Sequence, residues 1–383
     1  MMIAEHLYGD EHRQFQATAR RFVDDEVLPH RLEWEAAGTV PREIWRKAGA
    51  LGLLCCDLPE QYGGAGGDFI FNVVLAQELA RAGGSGPAFS GHSDIAVPYI
   101  ARYGTDEQKR RWLPKAVTGE LIVAIAMTEP HAGSDLQAMR TSARREGDEY
   151  VIRGQKVYIS NAQQAHLVIV ACKTDPKARA RGISLILVET DRPGFQRGPL
   201  MNKIGRKAQD TLELFFDDVR VPVANLLGHE GGGFPMLMGV LVQERLSSAI
   251  RCTAMMQIAL DETIAYVKQR EAFGRTVSEF QNTQFELADC WSMLLSHKAF
   301  LDRCIERHLK GQLDAIEASA AKLRASELEG ELIDRCLQFW GGAGYMWDTP
   351  IARAYADARV NRISAGSNHI LKMIIGREIL KKS

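Results

Sequence analysis

The chain has 383 residues, of which 46% are hydrophobic and 25% charged, a composition typical of a globular protein with roughly two or three domains. Its 47 lysines and arginines nearly balance its 48 aspartates and glutamates, which argues against non-specific nucleic-acid binding, since that requires concentrated positive charge. No uncharged run approaches the ~20 residues that a membrane span requires.

The cysteines and the N-terminal segment predict a protein of a reducing compartment. Seven cysteines (55, 56, 172, 252, 290, 304 and 336) are scattered without a CxxC motif, so neither a metal site nor a disulfide framework is expected. The segment MMIAEHLYGDEHRQ has neither the apolar run of a signal peptide nor the arginine-rich composition of a transit peptide. We therefore expect buried, reduced cysteines and a cytoplasmic location.

Residues 1–120 are predicted to form an N-terminal α-helical domain. Apolar residues recur at helical spacing in two stretches, around Phe22 and around Trp45. Thr105 and Gln108 have the spacing of a capping box, which predicts the start of another helix. The glycine-rich segment PEQYGGAGGDF is typical of a connector. A phosphate-binding loop is the alternative, although the segment lacks the Lys-Ser/Thr ending of such loops.

Residues 121–228 are predicted to form a middle β domain. Five β-rich runs are separated by Gly, Pro and Asp turns at the intervals of an antiparallel barrel or sandwich: LIVAIAM, YVIRGQKVYIS, HLVIVAC, GISLILVE and TLELFFDDV. No helix-length pattern alternates with these runs, which argues against a parallel sheet with helical crossovers.

Residues 229–383 return to helical periodicity, in long segments at roughly 234–270, 279–309, 314–339 and 367–381. Long helices with short links predict an antiparallel four-helix bundle. The predicted fold class is therefore multidomain α+β, with an N-terminal helical domain, a central antiparallel β-barrel or sandwich, and a C-terminal helical bundle.

The first long helix of the bundle carries an unexpected carboxylate. Phe234, Leu237 and Leu241 have the spacing of one apolar helical face. The next turn of that face brings Glu244 and Arg245 instead of another apolar residue. A buried Glu–Arg pair that only orders the helix would explain this placement, but burying such a pair is seldom favourable without a further role.

Five short motifs combine small, hydroxyl-bearing and aromatic residues: MTEPHAGSD (127–135), KVYISN (156–161), REAFG (270–274), QFWGGAGYMW (338–347) and SAGSNHI (364–370). Small residues allow the backbone to approach a polar cofactor closely, and their N–H and hydroxyl groups can bind it. In the second motif, Tyr158 and Ser160 share one strand face, so that a planar ring could be stacked and hydrogen-bonded at once. Each motif alone is weak, but the five in this order and at these separations are highly specific.

In these motifs the sequence resembles the acyl-CoA dehydrogenases, flavoenzymes that introduce a double bond between the α and β carbons of acyl-CoA thioesters. The similarity covers essentially the whole chain. The segments YGTDEQKRRWLP, KAQDTLELFFDDVRVP, YVKQREAFGRTV and GGAGYMWDTPIARAYADARV are most similar to the branch of the long-chain and isovaleryl enzymes.

The resemblance implies FAD as cofactor, bound across a subunit contact in a homotetramer that is a dimer of dimers. The residues that match the cofactor-binding positions of the family are Met127, Thr128, Gly133, Ser134, Tyr158, Ile159, Ser160, Arg270, Phe273, Gln281, Gln338, Phe339, Trp340, Gly341, Gly342, Ser367, Asn368 and His369. The residues expected on the substrate side are Ser134, Arg245, Ala365 and Gly366, the last through its backbone N–H.

The resemblance also assigns the unexpected carboxylate. Many family members carry the catalytic base as a Glu before Gly-Thr in the loop preceding the last helix, where this chain has Ala365. In the long-chain and isovaleryl branch the base lies on the first bundle helix, directly before an arginine, which matches Glu244. Glu244 is thus expected to remove the α-proton, while flavin N5 takes the β-hydride and an electron-transferring flavoprotein receives the electrons.

Two other functions remain open at this point: an oxidase that passes electrons to oxygen, and a non-catalytic flavin- or CoA-binding protein on the same fold. The sequence also departs from the family at three positions. His131 replaces a glycine, Tyr158 stands where many relatives have Trp, and Val242 replaces an Asp found in several relatives. The acyl-chain length and branching of the substrate do not follow from these motifs.

Overall fold

The structure, a computed structural model, describes residues 3–84 and 86–381. The N-terminal region is helical, as predicted, and its α-helices are α1 (Asp10–Phe22), α2 (Arg31–Ala37), α3 (Arg42–Ala50), α4 (Phe69–Ala80), α5 (Val97–Tyr103) and α6 (Asp106–Val117). Among the described residues, every helix is too short or too polar to cross a bilayer.

The predicted capping box opens α6 and also ties the helix to the sheet. Gln108 N donates to Thr105 Oγ1 at 3.2 Å, and Thr105 N donates to Gln108 Oε1 at 3.0 Å. The amide of Gln108 continues to the carbonyls of Ala224 and Leu226, at 2.8 and 2.9 Å. The Gln108 side chain therefore caps the start of α6 and also joins this N-terminal helix to the end of the middle region.

The glycine-rich segment before α4 is a closed connector. The N–H groups of Gly66 and Gly67 donate to the carbonyls of Leu58 and Cys56 at 2.8 and 3.1 Å. A Cβ on Gly64 would lie 2.1 Å from the Leu58 carbonyl oxygen, so only glycine fits there. Because these amides already have partners, they are not available to a phosphate.

The middle region forms one sheet of eight strands within the described residues. The strands are β1 (Val123–Ala126), β2 (Ser142–Glu146), β3 (Glu149–Ser160), β4 (Leu167–Lys173), β5 (Ile183–Glu189), β6 (Phe195–Arg197), β7 (Thr211–Pro222) and β8 (Leu226–Leu227). Their order across the sheet is β6-β7-β3-β2-β4-β5-β8, with β1 paired to β4.

The prediction of a closed, purely antiparallel barrel or sandwich is wrong in two respects. First, the sheet is open, since β6 and β8 form its two edges and do not pair with each other. Second, β1 runs parallel to β4, in register from Val123↔Leu167 to Ala126↔Val170. The β2–β3 hairpin lies between these two strands in sequence and supplies a crossover that is not a helix, a connection that periodicity alone does not reveal.

The strand β4 shows how the sheet joins two apolar cores. All seven of its residues are buried. Leu167 and Ile169 pack into the core shared with the N-terminal helices, whereas Val168 and Val170 pack into a second core enclosed by the curved sheet. A strand buried on both faces is a continuous apolar run, which explains why HLVIVAC lacks polar alternation.

The C-terminal region contains the four predicted long helices and one shorter helix that periodicity missed. The helices are α7 (Gly233–Gln269), α8 (Gln281–Leu309), α9 (Ala315–Trp340), α10 (Pro350–Ala358) and α11 (Asn368–Ile379), and between α7 and α8 lies the hairpin of β9 (Glu271–Ala272) and β10 (Arg275–Thr276). Helix α4 contributes Ile70 and Val73 to the bundle core. All seven cysteines lie among the described residues, buried and unpaired, as predicted.

Candidate active site

Glu244 lies in the interior, on the buried side of α7. Its residue surface is 8% exposed, and the preceding turns bury Leu237 and Val240 on the same side of the helix. Oε2 of Glu244 has no hydrogen-bond partner among residues 3–84 and 86–381. The hydroxyl of Tyr99, on α5, is likewise buried and unpartnered, and it lies near enough to interact electrostatically with Glu244. A buried acceptor without a donor is costly and calls for a functional explanation.

Burial raises the pKa of Glu244, because a desolvated carboxylate is less stable than a hydrated one. Three nearby cations act in the opposite direction: Arg251, Arg245 and Lys322, in decreasing order of effect. Desolvation outweighs them. The environment therefore produces a stronger base than an ordinary glutamate and supplies positive charge that favours its ionised form.

Arg245 connects Glu244 to the loop before α11. Its Nη1 donates to Ser319 Oγ on α9 at 3.0 Å, while its Nε has no partner among the described residues. A Cβ built on Gly366 would lie 3.8 Å from Nη2 of Arg245. The side chain that follows Glu244 on α7 therefore reaches the loop that contains Ala365.

The loop that contains Ala365 and Gly366 is held by Lys322, a fully buried lysine on α9. Its Nζ donates to the carbonyl of Gly366 at 2.9 Å and to Oδ1 of Asn368 at 3.0 Å. Burial lowers the pKa of Lys322 to about 8. Ala365 and Gly366 both have positive φ, of 55° and 85°. The Gly366 carbonyl is held by Lys322, whereas its N–H makes no hydrogen bond to another described residue.

Asn368 is held within the bundle. Its Oδ1 also accepts from Ser326 Oγ at 3.1 Å, and its Nδ2 is buried without a partner among the described residues. His369 is exposed, and Ser367 is the N-cap of α11 without a side-chain capping bond. Of these three predicted cofactor residues, His369 and Ser367 leave their polar side chains free to bind a ligand.

The turn of residues 127–134 is anchored by a buried ion pair. Lys156 Nζ donates to Glu129 Oε1 at 2.8 Å and to the carbonyl of Met127 at 2.9 Å, and both charged side chains are at most 1% exposed. Glu129 also accepts from the N–H groups of Arg140 and Thr141, at 2.6 and 2.9 Å. Burial acts to raise the pKa of Glu129, but these donors outweigh it and hold that pKa below its ordinary value.

The anchored turn presents small polar groups outward. Gly133 and Ser134 are exposed, and a Cβ on Gly133 would meet only the Thr128 methyl, at 3.9 Å. The carbonyl of Thr128 accepts from Val157 N at 2.9 Å, which joins the turn to β3. His131 is 40% exposed at its side chain, and its Nε2 lies 3.4 Å from Glu129.

Tyr158 stands out from β3 because the strand has a bulge. The register shifts between Lys156↔Leu214 and Ile159↔Leu212, so that β3 contains one extra residue at this point. Tyr158 has a φ of 61° and is 67% exposed. Ser160 is exposed as well, whereas Ile159 between them is buried, so that only its backbone can contact a ligand on this face.

Phe273 occupies a second strained and exposed position. It forms, with Gly274, the two-residue turn between β9 and β10, and both residues have positive φ, of 55° and 77°. This is the geometry of a type I′ turn, for which asparagine, aspartate or glycine is preferred. Phe273 is nevertheless an aromatic residue and is 96% exposed. Arg270 and Gln281, which flank this hairpin, are exposed too.

The segment 338–342 lies at the C-terminal end of α9 and packs against the part of α7 that leads to that hairpin. The ring of Trp340 stacks on Tyr266 with centroids 4.2 Å apart, and its Nε1 donates to Thr263 Oγ1 at 3.1 Å. Gly341 and Gly342 have no atom within 4 Å of a built Cβ. Trp340 therefore belongs to the bundle interior, while the two glycines, together with the exposed Gln338 and half-buried Phe339, border open space.

The predicted site residues fall into two groups that one chain keeps apart. The group around Glu244 includes Arg245 and the loop of Ala365 and Gly366, whereas the 338–342 segment packs on Tyr266. Tyr266 lies 22 residues after Glu244 on α7, about 33 Å along the helix axis. A cofactor that contacts both groups would need a second copy of the chain.

Sequence reasoning missed the residues that hold the site in place, among them Glu129, Lys156, Lys322 and Tyr99. A signal for Lys156 existed, since it is in phase with the buried Tyr150 and Ile152 on β3. Lys322 and Tyr99 carry no comparable local signal, because the loop that Lys322 holds and the carboxylate that Tyr99 lies near are distant from them in sequence.

Three family models match successive parts of the chain: the acyl-CoA dehydrogenase N-terminal domain at residues 9–120, the middle domain at 124–219 and the C-terminal domain at 231–380. Among curated proteins, the mitochondrial long-chain specific acyl-CoA dehydrogenase of Mus musculus is 48% identical over 98% of this chain and 88% of its own length. The mitochondrial isovaleryl-CoA dehydrogenase of Oryza sativa subsp. japonica is 35% identical over 98% of this chain and 93% of its own length.

Solved structures show the same fold. The crystal structure of an acyl-CoA dehydrogenase from Geobacillus kaustophilus has a TM-score of 0.96 at 48% identity and covers 97% of this chain and 99% of that one. An acyl-CoA dehydrogenase from Bacillus anthracis complexed with FAD has a TM-score of 0.92 at 30% identity; the match covers 99% of this chain and 68% of that one. The two curated relatives are mitochondrial by name, which does not support the expected cytoplasmic location.

Proposed function

The chain belongs to the acyl-CoA dehydrogenase family, oxidoreductases that act on acyl-CoA thioesters, and we propose that FAD is its cofactor and Glu244 its catalytic base. The observation that carries this proposal is the buried, unpartnered carboxylate oxygen of Glu244 beside the loop of Ala365 and Gly366. A carboxylate placed there without a donor is suited to take a proton from a substrate.

The exposed surface of the sheet fits an isoalloxazine ring. The Tyr158 side chain offers a planar face, Ser160 is exposed two residues later on the same strand, and Ser134 is exposed in the turn that Val157 joins to this strand. FAD, when bound, would accept the hydride that leaves the β-carbon of the substrate. The Met127 carbonyl is held by Lys156 and the Thr128 carbonyl by Val157 N, which fixes the turn that would contact the ring.

The protein side chains account for the proton chemistry. The carboxylate of Glu244 takes the proton of the α-C–H bond, whose electron pair forms the new double bond as the β-hydrogen departs with its own pair. Burial makes Glu244 more basic than an ordinary glutamate, and the cations around it maintain the ionised form. We assign the N–H of Gly366 as a donor to the thioester carbonyl, which would make the α-proton more acidic.

A shared cofactor site supports a homo-oligomer, and we infer a dimer of dimers. The adenine-side group around Arg270, Phe273 and Gly342 lies too far along α7 for one FAD to reach it and the Glu244 group within one chain. The 96% exposure of Phe273 is explained if a second copy covers it. Analytical ultracentrifugation of the holoenzyme would show a tetramer.

The experiment that tests the proposed reaction is anaerobic titration of the FAD-loaded protein with acyl-CoA thioesters of increasing length and branching. Loss of the yellow flavin colour with at least one thioester, followed by stable reduced flavin until an electron-transferring flavoprotein is added, is the expected result. Reoxidation by air within seconds would indicate an oxidase, and a flavin that no acyl-CoA bleaches would indicate a non-catalytic binding protein.

A further inference from the structure

A helical segment of the N-terminal region, residues 89–103, runs antiparallel to the start of α7. At one end, a Cβ on Gly239 would lie 2.6 Å from the Tyr103 hydroxyl. In the middle, Gln243 Nε2 donates to the Asp94 carbonyl at 3.1 Å. At the other end, Arg251 donates to Ser90 Oγ. The two helical segments therefore lie side by side, and we call the seam between them, which passes Glu244 first and Arg251 last, the groove.

The segment 89–103 is widened at the groove. Residues Gly91–Ala96 form a π-helical turn, a feature that often occurs at functional sites. Pro98 has no N–H, so the Asp94 carbonyl four residues earlier lacks its usual helical donor and accepts from Gln243 instead. Gly91 and Ile95 in this turn are only half-buried, whereas the three residues between them are buried.

The face of α7 that borders the groove carries small side chains between two charged ones. Glu244, Ser248 and Arg251 have the i, i+4, i+7 spacing that places them on one side of a helix. The hydroxyl of the adjacent Ser247 is buried and unpartnered among the described residues. Seven residues at about 1.5 Å each separate Glu244 from Arg251 by about 10 Å along the axis.

Arg251 has a positive charge that the protein does not neutralise by direct contact. Ser90 Oγ is its hydrogen-bond partner, and no carboxylate oxygen among residues 3–84 and 86–381 lies within 4.0 Å of it. Asp94 is the acid with the largest electrostatic effect on Arg251, but its Oδ1 already accepts from Asn72 at 2.9 Å. Burial lowers the pKa of Arg251, and repulsion from Arg206 lowers it more than Asp94 raises it.

We propose that Arg251 binds a carboxylate at the far end of the acyl chain, so that the substrates of this enzyme include acyl-CoA thioesters of dicarboxylic acids. The inference rests on the proposed function, because it places the α-carbon at Glu244 and lets the chain follow the groove. A guanidinium held by one serine keeps several N–H donors for a carboxylate, which it can bind through two parallel hydrogen bonds. Arg251 then determines which chain ends are accepted and at what distance from the thioester.

The test compares matched pairs of substrates with the holoenzyme: octanoyl- with octanedioyl-CoA, decanoyl- with decanedioyl-CoA, and dodecanoyl- with dodecanedioyl-CoA. The measured quantity is the ratio of kcat/KM for the carboxylated thioester to kcat/KM for the plain one. We expect this ratio to favour the carboxylated member of at least one pair. In Arg251→Leu the ratio should fall at least about tenfold, the size of one charge-assisted hydrogen bond, and Arg251→Lys should lie between.

The control variant is Arg110→Leu, which removes an exposed arginine of α6 and should leave the ratio unchanged. A wild-type ratio below one for every pair, or an equal loss on both substrates in Arg251→Leu, would overturn the proposal. In both of these outcomes the plain thioester still bleaches the flavin, so the proposed function stands. If neither member of any pair bleaches the flavin although a longer or branched thioester does, the proposal is overturned and the proposed function stands; if no acyl-CoA bleaches it, the proposed function itself has failed. Calorimetric titration of Glu244→Gln holoenzyme with the same pairs provides a binding readout independent of turnover.

Discussion

The buried pair of Lys156 and Glu129 offers a quantitative test of how the cofactor-binding turn is held. In Lys156→Met, the Glu129 carboxylate stays buried and keeps the N–H donors of Arg140 and Thr141 and the more distant His131 ring. The Met127 carbonyl loses its 2.9 Å donor at the same time. Removing one partner of a buried pair typically costs about 3–5 kcal/mol, so we expect the free energy of unfolding to fall by about that amount.

Denaturant unfolding of the FAD-free protein, followed by circular dichroism, would measure this loss. The double variant Lys156→Met/Glu129→Leu removes both charges and should regain more than half of the lost stability, because no buried charge remains unpaired. It should still retain less FAD than the wild type, since the turn has lost its anchor. In the double variant, the free energy of unfolding would thus recover while FAD retention would not.

The matched control is Arg153→Ala, on the same strand. Arg153 pairs with Asp218 at the surface, where its side chain is 68% exposed. Exposed pairs contribute about 0–1 kcal/mol, so this variant should unfold almost as the wild type does. If Lys156→Met cost no more than Arg153→Ala, the buried pair would not be the anchor inferred from its geometry.

Two further outcomes follow from the same structure. Phe273→Asn places a residue that favours type I′ turns at a φ of 55°, so the isolated chain should gain stability by a few tenths of a kcal/mol. The holoenzyme, in contrast, should lose FAD and dissociate more readily. Unchanged FAD retention on gel filtration would contradict the role given to Phe273. The rate of flavin reduction should rise with pH, because Glu244 must be ionised, and the midpoint of this rise should lie above the ordinary pKa of glutamate, because burial raises the pKa of Glu244. A midpoint at or below that ordinary pKa would contradict this.

Much of the fold follows from local patterns in the sequence. The four long helices, the capping box of Thr105 and Gln108, and the five main strands have strong periodic or capping signals, and all are present. Helix α10 is short and lies between loops, so its periodicity is weak. The parallel pairing of β1 with β4 depends on contacts between distant segments, which a strand's own residues do not encode.

The candidate site divides in the same way. Glu244 is detectable because it interrupts an apolar helical face, and the exposed Tyr158 and Ser160 because they share a strand face. The bulge that turns Tyr158 outward and the left-handed conformation of Ala365 are set by neighbouring strands and helices. Arg251 carried no sequence signal of its own, since its charge becomes unusual only once the groove beside Ser90 is known.

The central claim is that the carboxyl group at position 244 removes the α-proton of an acyl-CoA. Stopped-flow measurement of flavin reduction in FAD-loaded Glu244→Gln tests it most directly, since glutamine keeps the size and loses the basicity. We expect normal thioester binding with reduction slowed by several orders of magnitude, and partial recovery on adding Ala365→Glu, because the loop of Ala365 and Gly366 approaches Arg245, the neighbour of Glu244. Flavin reduction at the wild-type rate in Glu244→Gln would contradict it.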